Sequence, residues 1–236
     1  MQKKLSLTDF FTMDSQEILF KEIFFQNEIP WDPLLHLNTF FDQFKDFGIH
    51  SEIPDGAHIG NREKIYIGKN VRIEPGCYIK GPCYIGDHCE IRHAAYLREH
   101  VFLCPHVLIG HCSEVKHSYL FPHVKASHFA YIGDSVIGSH VNLGAGVKCA
   151  NLRMDEKLIS FFVQDQQIAT PFRKMGAILG DQVQVGCNAV LNPGTLMEKQ
   201  AVCYPVLNLS GYHPLLSIAK PGNVFNLSKE SSKVKK

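Results

Sequence analysis

An aliphatic residue stands at every sixth position from Ile67 to Val115: Ile67, Ile73, Ile79, Ile85, Ile91, Leu97, Leu103, Ile109 and Val115. A helix repeats near 3.6 residues and a strand repeats every two, so neither alone explains an unbroken period of six. The pattern predicts a hexapeptide-repeat parallel β-helix, in which each hexad forms one wall of a triangular prism. Residues eighteen apart then stand one above the other, about 4.8 Å apart.

A second periodic layer supports this geometry. Four residues after each of the first eight aliphatics comes a small or β-branched one: Val71, Cys77, Cys83, Cys89, Ala95, Val101, Val107 and Ser113. Such side chains suit the narrow interior where three walls meet. Gly68, Gly86 and Gly110 directly follow an aliphatic, where a tight turn favours a missing Cβ. An antiparallel sandwich would instead show turn clusters at irregular intervals and no fixed small position. Spacing alone does not set the hand; known hexad prisms are left-handed, against the usual crossover rule, and that hand is expected here. The expected class is all-β, a left-handed parallel β-helix with a short N-terminal α-helical extension.

Residues 1–50 lack the hexad and are expected to form that extension. Asp14, with Glu17 three residues on, reads as a capping box for a helix through Phe25. Asp32-Pro33 opens a second helix that Gly48 would stop. The repeat starts weakly at Ile53 and Ile59, so residues 51–205 are assigned to the β-helix. After Val115 the register slips by one at Leu120 (Leu120, Ala126, Ile132) and again at Ile137 (Ile137, Leu143). Residues 147–177 interrupt it, and it resumes at Leu179, Val185, Leu191 and Met197. A segment that leaves and re-enters in phase is expected to be a projecting arm, and arms on rigid scaffolds carry function. Pro205, Pro214 and Pro221 are expected to end regular structure, leaving residues 206–236 as a C-terminal extension with a disordered tail from 229 to 236.

Bulk properties narrow the partners. The net charge of the 236 residues is +1, which argues against a broad nucleic-acid-binding field. No apolar run is long enough to span a membrane, and Asp9 and Asp14 interrupt any secretory-type segment. The eight cysteines contain no CxxC pair, and three of them fall on the small interior positions, so they are read as packing residues in a reducing cytoplasm.

Polar residues on the same grid supply candidate chemistry. Lys80, Arg98 and Lys116 each follow a wall aliphatic at intervals of eighteen, so they should stack outward on one wall. Like charges on adjacent strands repel, which suggests an anion partner such as a phosphate. His128 falls one coil above the His111–Glu114 stretch, where Glu114 could orient its imidazole as a general base. Tyr131 and Asn151 could donate to a developing oxyanion. The run Asn142-Leu143-Gly144-Ala145-Gly146 lacks the Lys-Ser/Thr of a phosphate loop and reads as a turn with approachable backbone.

Three segments carry a resemblance: Glu114-Val115-Lys116; Lys125-Ala126-Ser127-His128-Phe129-Ala130-Tyr131-Ile132-Gly133-Asp134; and Ile137-Gly138-Ser139-His140-Val141-Asn142-Leu143-Gly144-Ala145-Gly146. They resemble the acetyltransferase domain of the bifunctional N-acetylglucosamine-1-phosphate uridyltransferase/glucosamine-1-phosphate acetyltransferase. That family carries E-x-K, K-A-x-H-x-x-Y-x-G-D and V-N-I-G-A-G at the same spacings, and the match runs over roughly residues 60–205. The resemblance implies sugar-phosphate contacts at Arg98, Lys116, Tyr131, Asn142, Asn151 and Lys157. It also implies a catalytic His128 steadied by Glu114. Acetyl-CoA would lie near Ala145 and Cys187, with Arg173 and Lys174 on the arm, and no metal is expected. Asn151-Leu152-Arg153 and Arg173-Lys174-Met175-Gly176 look more like a sugar-1-phosphate acetyltransferase branch with a longer arm. The chain departs from the family at Cys149-Ala150-Asn151-Leu152, where the family has T-C-N-Y, and at Cys187, where it has serine.

The implied activity is acetyl transfer to the amine of a hexosamine 1-phosphate, a step towards UDP-N-acetylglucosamine and the cell envelope, by a cytoplasmic homotrimer. Residues 1–50 are too short for the family's uridyltransferase domain, so a separate nucleotidyltransferase is an expected partner. Two further readings stand beside it. His88/His93, His106/His111 and His123/His128 each have the five-residue spacing that a trimeric zinc-dependent carbonic-anhydrase-like site uses. The other is a catalytically silent scaffold that binds sugar phosphate.

Overall fold

The computed structural model describes residues 5–226. Its core is a three-sided parallel β-helix; each side takes one parallel strand per coil, and the second ends with the antiparallel strand Asn223–Asn226. In chain order within a coil, the first wall holds Ile65–Ile67, the second Arg72–Ile73 and the third Tyr78–Lys80. The hexad aliphatics form the vertical interior columns. On the first wall the register runs Ile67, Ile85, Leu103, Leu120, Ile137, Leu179 and Met197. On the third wall it runs Ile79, Leu97, Val115, Ile132, Cys149 and Leu191. The slips at Leu120 and Ile137 are therefore coils one residue shorter. The interior stays aligned because the residue is lost at a corner.

The small layer also packs inside, where Cys77, Cys83, Cys89, Ala95, Val101, Val107 and Ser113 are buried. All eight cysteines are free. Burial pushes the Cys77 thiol up to about 11, away from the reactive thiolate. At Gly110 the requirement is close approach rather than a positive φ: a Cβ there would collide with the Ser127 carbonyl of the next coil.

The repeat reaches further at both ends than the hexad count indicates. Gly48–Ile49 already pairs with Ile65–Ile67, so Gly48 opens the first wall rather than stopping a helix. Past Pro205, Asn208–Leu209, Tyr212–His213 and Ser217–Lys220 add strands to the three walls, and Leu209 and Ala219 continue the interior columns. Prolines at corners donate no ladder bond, so the coil tolerates them. The expected disordered tail lies outside the described residues.

The N-terminal extension is a strap with three helical pieces: α1 (Leu7–Phe10), α2 (Lys21–Phe24) and α3 (Asp32–Gln43). Ser6 and Asp9 make the capping box, at α1. Asp14 caps no helix, because Phe20 takes left-handed backbone (φ 53°) and α2 starts only after it. Pro33 in the first turn of α3 matches expectation, but the helix ends at Gln43.

The strap covers the outer face of the first wall. There Tyr66, Tyr84, Phe102 and Tyr119 form a stacked column with centroids 4.4, 4.5 and 4.9 Å apart. Phe20, Phe24, Phe40 and Phe44 meet this column mostly edge-on, and T-shaped contacts add to simple area burial. Polar ties hold the strap's course. The Tyr119 hydroxyl donates to the Leu19 carbonyl at 2.9 Å, and Asp181 receives the Thr12 and Ser139 N–H groups at 2.7 and 2.9 Å. Among the described residues, no helix is long and apolar enough to cross a membrane.

The arm leaves after Lys148–Cys149 and returns at Ala177–Leu179, carrying an antiparallel hairpin of Ser160–Val163 and Gln166–Ala169. Phe161 packs on Trp31 of the strap at 5.5 Å, so strap and arm share one apolar cluster.

Phe102 is fully buried between column and strap. Phe102→Ala is expected to lower stability by about 3–5 kcal/mol in chemical denaturation. Tyr78→Ala, at a half-exposed stacked position on the third wall, should cost about 1 kcal/mol or less.

Candidate active site

Strand alternation turns the neighbours of each third-wall aliphatic outward. One outer column reads Tyr78, Tyr96, Glu114, Tyr131 and Lys148. The other carries Lys80, Arg98 and Lys116 and ends on Gly133, which pairs with Lys116. The three cations thus stand on one wall, as the spacing requires, but they are not a bare ladder. Lys80 pairs with Glu99. Arg98 Nη1 donates to Glu114 Oε1 at 2.9 Å. Lys116 Nζ donates to Asp134 Oδ2 at 3.0 Å. Each cation has a carboxylate placed diagonally in the next coil or corner, which offsets the repulsion that suggested an anion partner.

Asp134 is the hub of this surface. Its carboxylate accepts from Lys116 and from the Asn151 side-chain amide, and His117 Nδ1 lies 3.1 Å from Oδ1. Burial alone would raise this carboxyl; its contacts with His117, Asn151 and Lys116 outweigh that and hold it below the ordinary aspartate value. Burial, with Glu114 and Asp134 nearby, raises the Tyr131 phenol. Gly133 keeps the centre open, since a Cβ there would come within 2.7 Å of the Tyr131 hydroxyl and 2.8 Å of the Asn151 amide. Arg98, Glu114, Lys116, Tyr131 and Asn151 are thereby brought together. Asp134 and His117 were not singled out from sequence. The spacing does not mark Asp134, because the coil here has seventeen residues and sets Gly133 over Lys116, leaving Asp134 one position off the column.

His128 ends a second-wall strand and is exposed, with its ring near Phe129 at 6.4 Å. The Glu114 carboxylate is engaged by Arg98, and among the described residues no side chain hydrogen-bonds the His128 imidazole. The register sets His128 directly over His111. Continued upward through Ala126, Leu143 and Val185, it stacks Ala145 and then Cys187 above His128 along the corner between the second and third walls. Asn142 lies on the second wall between Lys125 and Gln184.

The remaining basic residues sit on the arm. Lys157 follows the Arg153–Asp155 pair, and Arg173 bonds Glu156 at 2.7 Å. Between the arm and the upper third wall lies a cleft of about 760 Å³, whose lining includes Ala150, Arg153, Phe162, Asn192 and Gly194. It begins beside Asn151. A smaller hollow is lined by Leu152, Glu156, Arg173 and Lys174.

The histidine pairs at five-residue spacing are split by the fold. His88 precedes and His93 follows the same second-wall strand, and each ring stacks on a neighbour in its own column instead: His88 on His106, His93 on His111.

Because the folded Asp134 value lies below the unfolded one, its stabilising contribution is fully present above the ordinary aspartate value, about 4. It is lost as pH falls through the lowered value. Asp134→Asn should therefore cost about 1–3 kcal/mol at pH 7. The gap to wild type should narrow in acid, as read from urea denaturation at several pH values.

The "Bifunctional sugar-1-phosphate nucleotidylyltransferase/acetyltransferase" of Sulfurisphaera tokodaii is 41% identical over 97 residues, covering 41% of this chain and 24% of that protein. The "Putative uncharacterized acetyltransferase YaiX" of Escherichia coli K12 is 36% identical over 135 residues, 57% of this chain and 59% of that protein. The "Bifunctional protein GlmU" of Methanococcus vannielii is 31% identical over 94 residues, 40% of this chain and 22% of that protein. The chain spans less than two thirds of the length of each. These relatives bear out the resemblance drawn from the motifs. The family profile described as the GMPPB C-terminal domain matches residues 79–208, more than half of the chain, and the chain belongs to that family.

Proposed function

We propose that this protein transfers an acetyl group from acetyl-CoA to the amine of a hexosamine 1-phosphate, with glucosamine 1-phosphate the first candidate. The observation that carries the reading is the gathering of Arg98, Lys116, Tyr131 and Asn151 on successive coils of the third wall, beside the corner that stacks His128, Ala145 and Cys187. Relatives named as acetyltransferases support the acyl-transfer class.

In this mechanism the sugar phosphate displaces Glu114 from Arg98 and takes a free donor of Lys116, which keeps Asp134, while Asn142 and the arm's Lys157 contact the sugar phosphate from the flanks. The amine attacks the thioester carbonyl; a C–N bond forms, and the C–S bond then breaks to release CoA thiolate. His128 takes the proton lost by the attacking nitrogen. Backbone N–H groups near Ala145, with Tyr131 or Asn151, meet the oxyanion. The CoA chain runs past Cys187 towards Arg173 and Lys174. Positioning of two bound substrates and preorganised donors supply most of the rate, and a general base adds about 10²–10⁴-fold. The acetyl step itself needs no metal.

The strap occupies the first wall, so the second and third walls are the faces left for contact between copies. A homotrimer that shares arm residues between neighbours uses those faces, with a separate cytoplasmic nucleotidyltransferase consuming the product.

The deciding assay is thiol release from acetyl-CoA with glucosamine 1-phosphate and with its galactosamine epimer. Turnover with one of them is expected; none with any amino-sugar phosphate would sink the proposal in favour of a silent scaffold. His128→Ala should lower kcat by about 10²–10⁴-fold with sugar-phosphate affinity nearly intact. Arg98→Ala should instead raise KM for the sugar phosphate.

A further inference from the structure

The corner between the first and second walls carries a histidine column that the proposed reaction does not use. The third residue after successive first-wall aliphatics takes left-handed backbone: His88, His106, His123 and His140, with φ of 60°, 62°, 63° and 58°. Histidine is one of the few residue types enriched in that conformation. Their rings stack at centroid distances of 4.9, 4.7 and 4.6 Å and within 6° of parallel. A transition metal is bound by imidazole through a ring nitrogen lone pair, and a ladder of rings presents such nitrogens at one edge of the prism.

One carboxylate reaches into this column from the strap. Glu17 Oε1 lies 3.5 Å from His106 Nε2, and Glu17 Oε2 lies 3.2 Å from His123 Nε2. The three ligand atoms all lie within 4.8 Å of one another. Tetrahedral zinc with bonds of about 2.0–2.1 Å sets its ligand atoms about 3.3 Å apart. Each imidazole nitrogen already lies near that distance from one of the two Glu17 oxygens. Closing the remaining imidazole–imidazole gap means tilting two partly exposed rings out of their parallel stack.

The carboxylate is also held in place. The Glu17 N–H donates to Ser15 Oγ at 3.1 Å, Ile18 is buried, and the Leu19 carbonyl is gripped by the Tyr119 hydroxyl at 2.9 Å. On the other side, Lys21 Nζ donates to the Met13 carbonyl at 3.3 Å. A ligand delivered by a chain fixed on both sides loses little freedom on binding.

We propose that Glu17, His106 and His123 form a site for a divalent transition metal of the zinc class, which clasps the N-terminal strap to the edge of the prism. Two imidazoles and one carboxylate suit zinc and its neighbours rather than magnesium or calcium. Water, or His140 stacked on His123, completes the coordination. The corner lies opposite the third wall, so the ion takes no part in the acetyl step and joins strap to scaffold. Its role does not depend on that reaction.

The test uses full-length protein without a histidine tag, stripped with a chelator and titrated with Zn²⁺ by calorimetry and with Co²⁺ by visible absorption. Uptake of one ion per chain, a tetrahedral cobalt spectrum and a raised thermal midpoint are expected. His106→Asn with His123→Asn should abolish uptake, Glu17→Gln should weaken it by about tenfold or more, and His88→Asn should leave it intact. Absence of stoichiometric uptake would overturn the proposal. So would uptake that survives the double histidine variant or is unchanged in Glu17→Gln. If the double variant fails to fold, Glu17→Gln at its half-exposed position carries the test alone.

Discussion

Parallel hydrogen bonding between coils forces each residue to sit over the one a turn earlier. Chemistry is therefore repeated vertically, whatever it is. Stacked aliphatic, aromatic and imidazole side chains gain from this. Stacked cations lose, and the chain answers with offset carboxylates: Glu99 for Lys80, Glu114 for Arg98 and Asp134 for Lys116. The paired surface of the third wall, like the histidine edge on the opposite corner, follows from one repeat distance.

The three walls are then put to different uses. The first carries an outward aromatic column that is stable only when covered, and the strap covers it. This coverage couples distant parts of the sequence: Phe20 meets Tyr84 and Phe102, Trp31 meets Phe161 of the arm, and Asp181 holds Thr12. A change in the strap is thus felt at the base of the arm, which frames the cleft beside Asn151. The second and third walls keep polar outer columns, and the corner between them holds His128.

Legibility in the sequence followed the same division. The interior columns were readable because the prism admits one side-chain size per position, and even the seventeen-residue coils showed as single-residue slips at Leu120 and Ile137. The strap was misread. Asp14 and Glu17 mimic a capping box, but aromatic packing on the first wall sets the local backbone and puts Phe20 in a left-handed conformation that no capping rule anticipates. The C-terminal coils are hidden in the sequence because Pro205 and Pro214 read as terminators, whereas corners lie outside the ladder. At the site, the vertical neighbours were legible and the diagonal ones were not. Lys116 over Arg98 follows from spacing. The engagement of Glu114 by Arg98, and of Asp134 by three groups at once, depends on side-chain reach and burial.

That diagonal pairing bears directly on how an anion would enter. A phosphate arriving at the cation column must compete with carboxylates already in place, and the two competitions are unequal. The Arg98–Glu114 pair is open to solvent on both sides (37% and 35% exposed), where an ion pair contributes little net energy. The Lys116–Asp134 pair is far less exposed (20% and 7%), and Asp134 keeps Asn151 and His117 beside it. Removing Lys116 from that buried carboxylate would leave it short of partners, which costs more than opening a surface pair. Exchange is therefore easiest at Arg98. Lys116 can add its field to a bound anion without leaving Asp134, because an ammonium has three donors and Asp134 occupies only part of that capacity. On this surface the arginine is the group that can change partners, and the lysine with its aspartate is the fixed frame against which it does so.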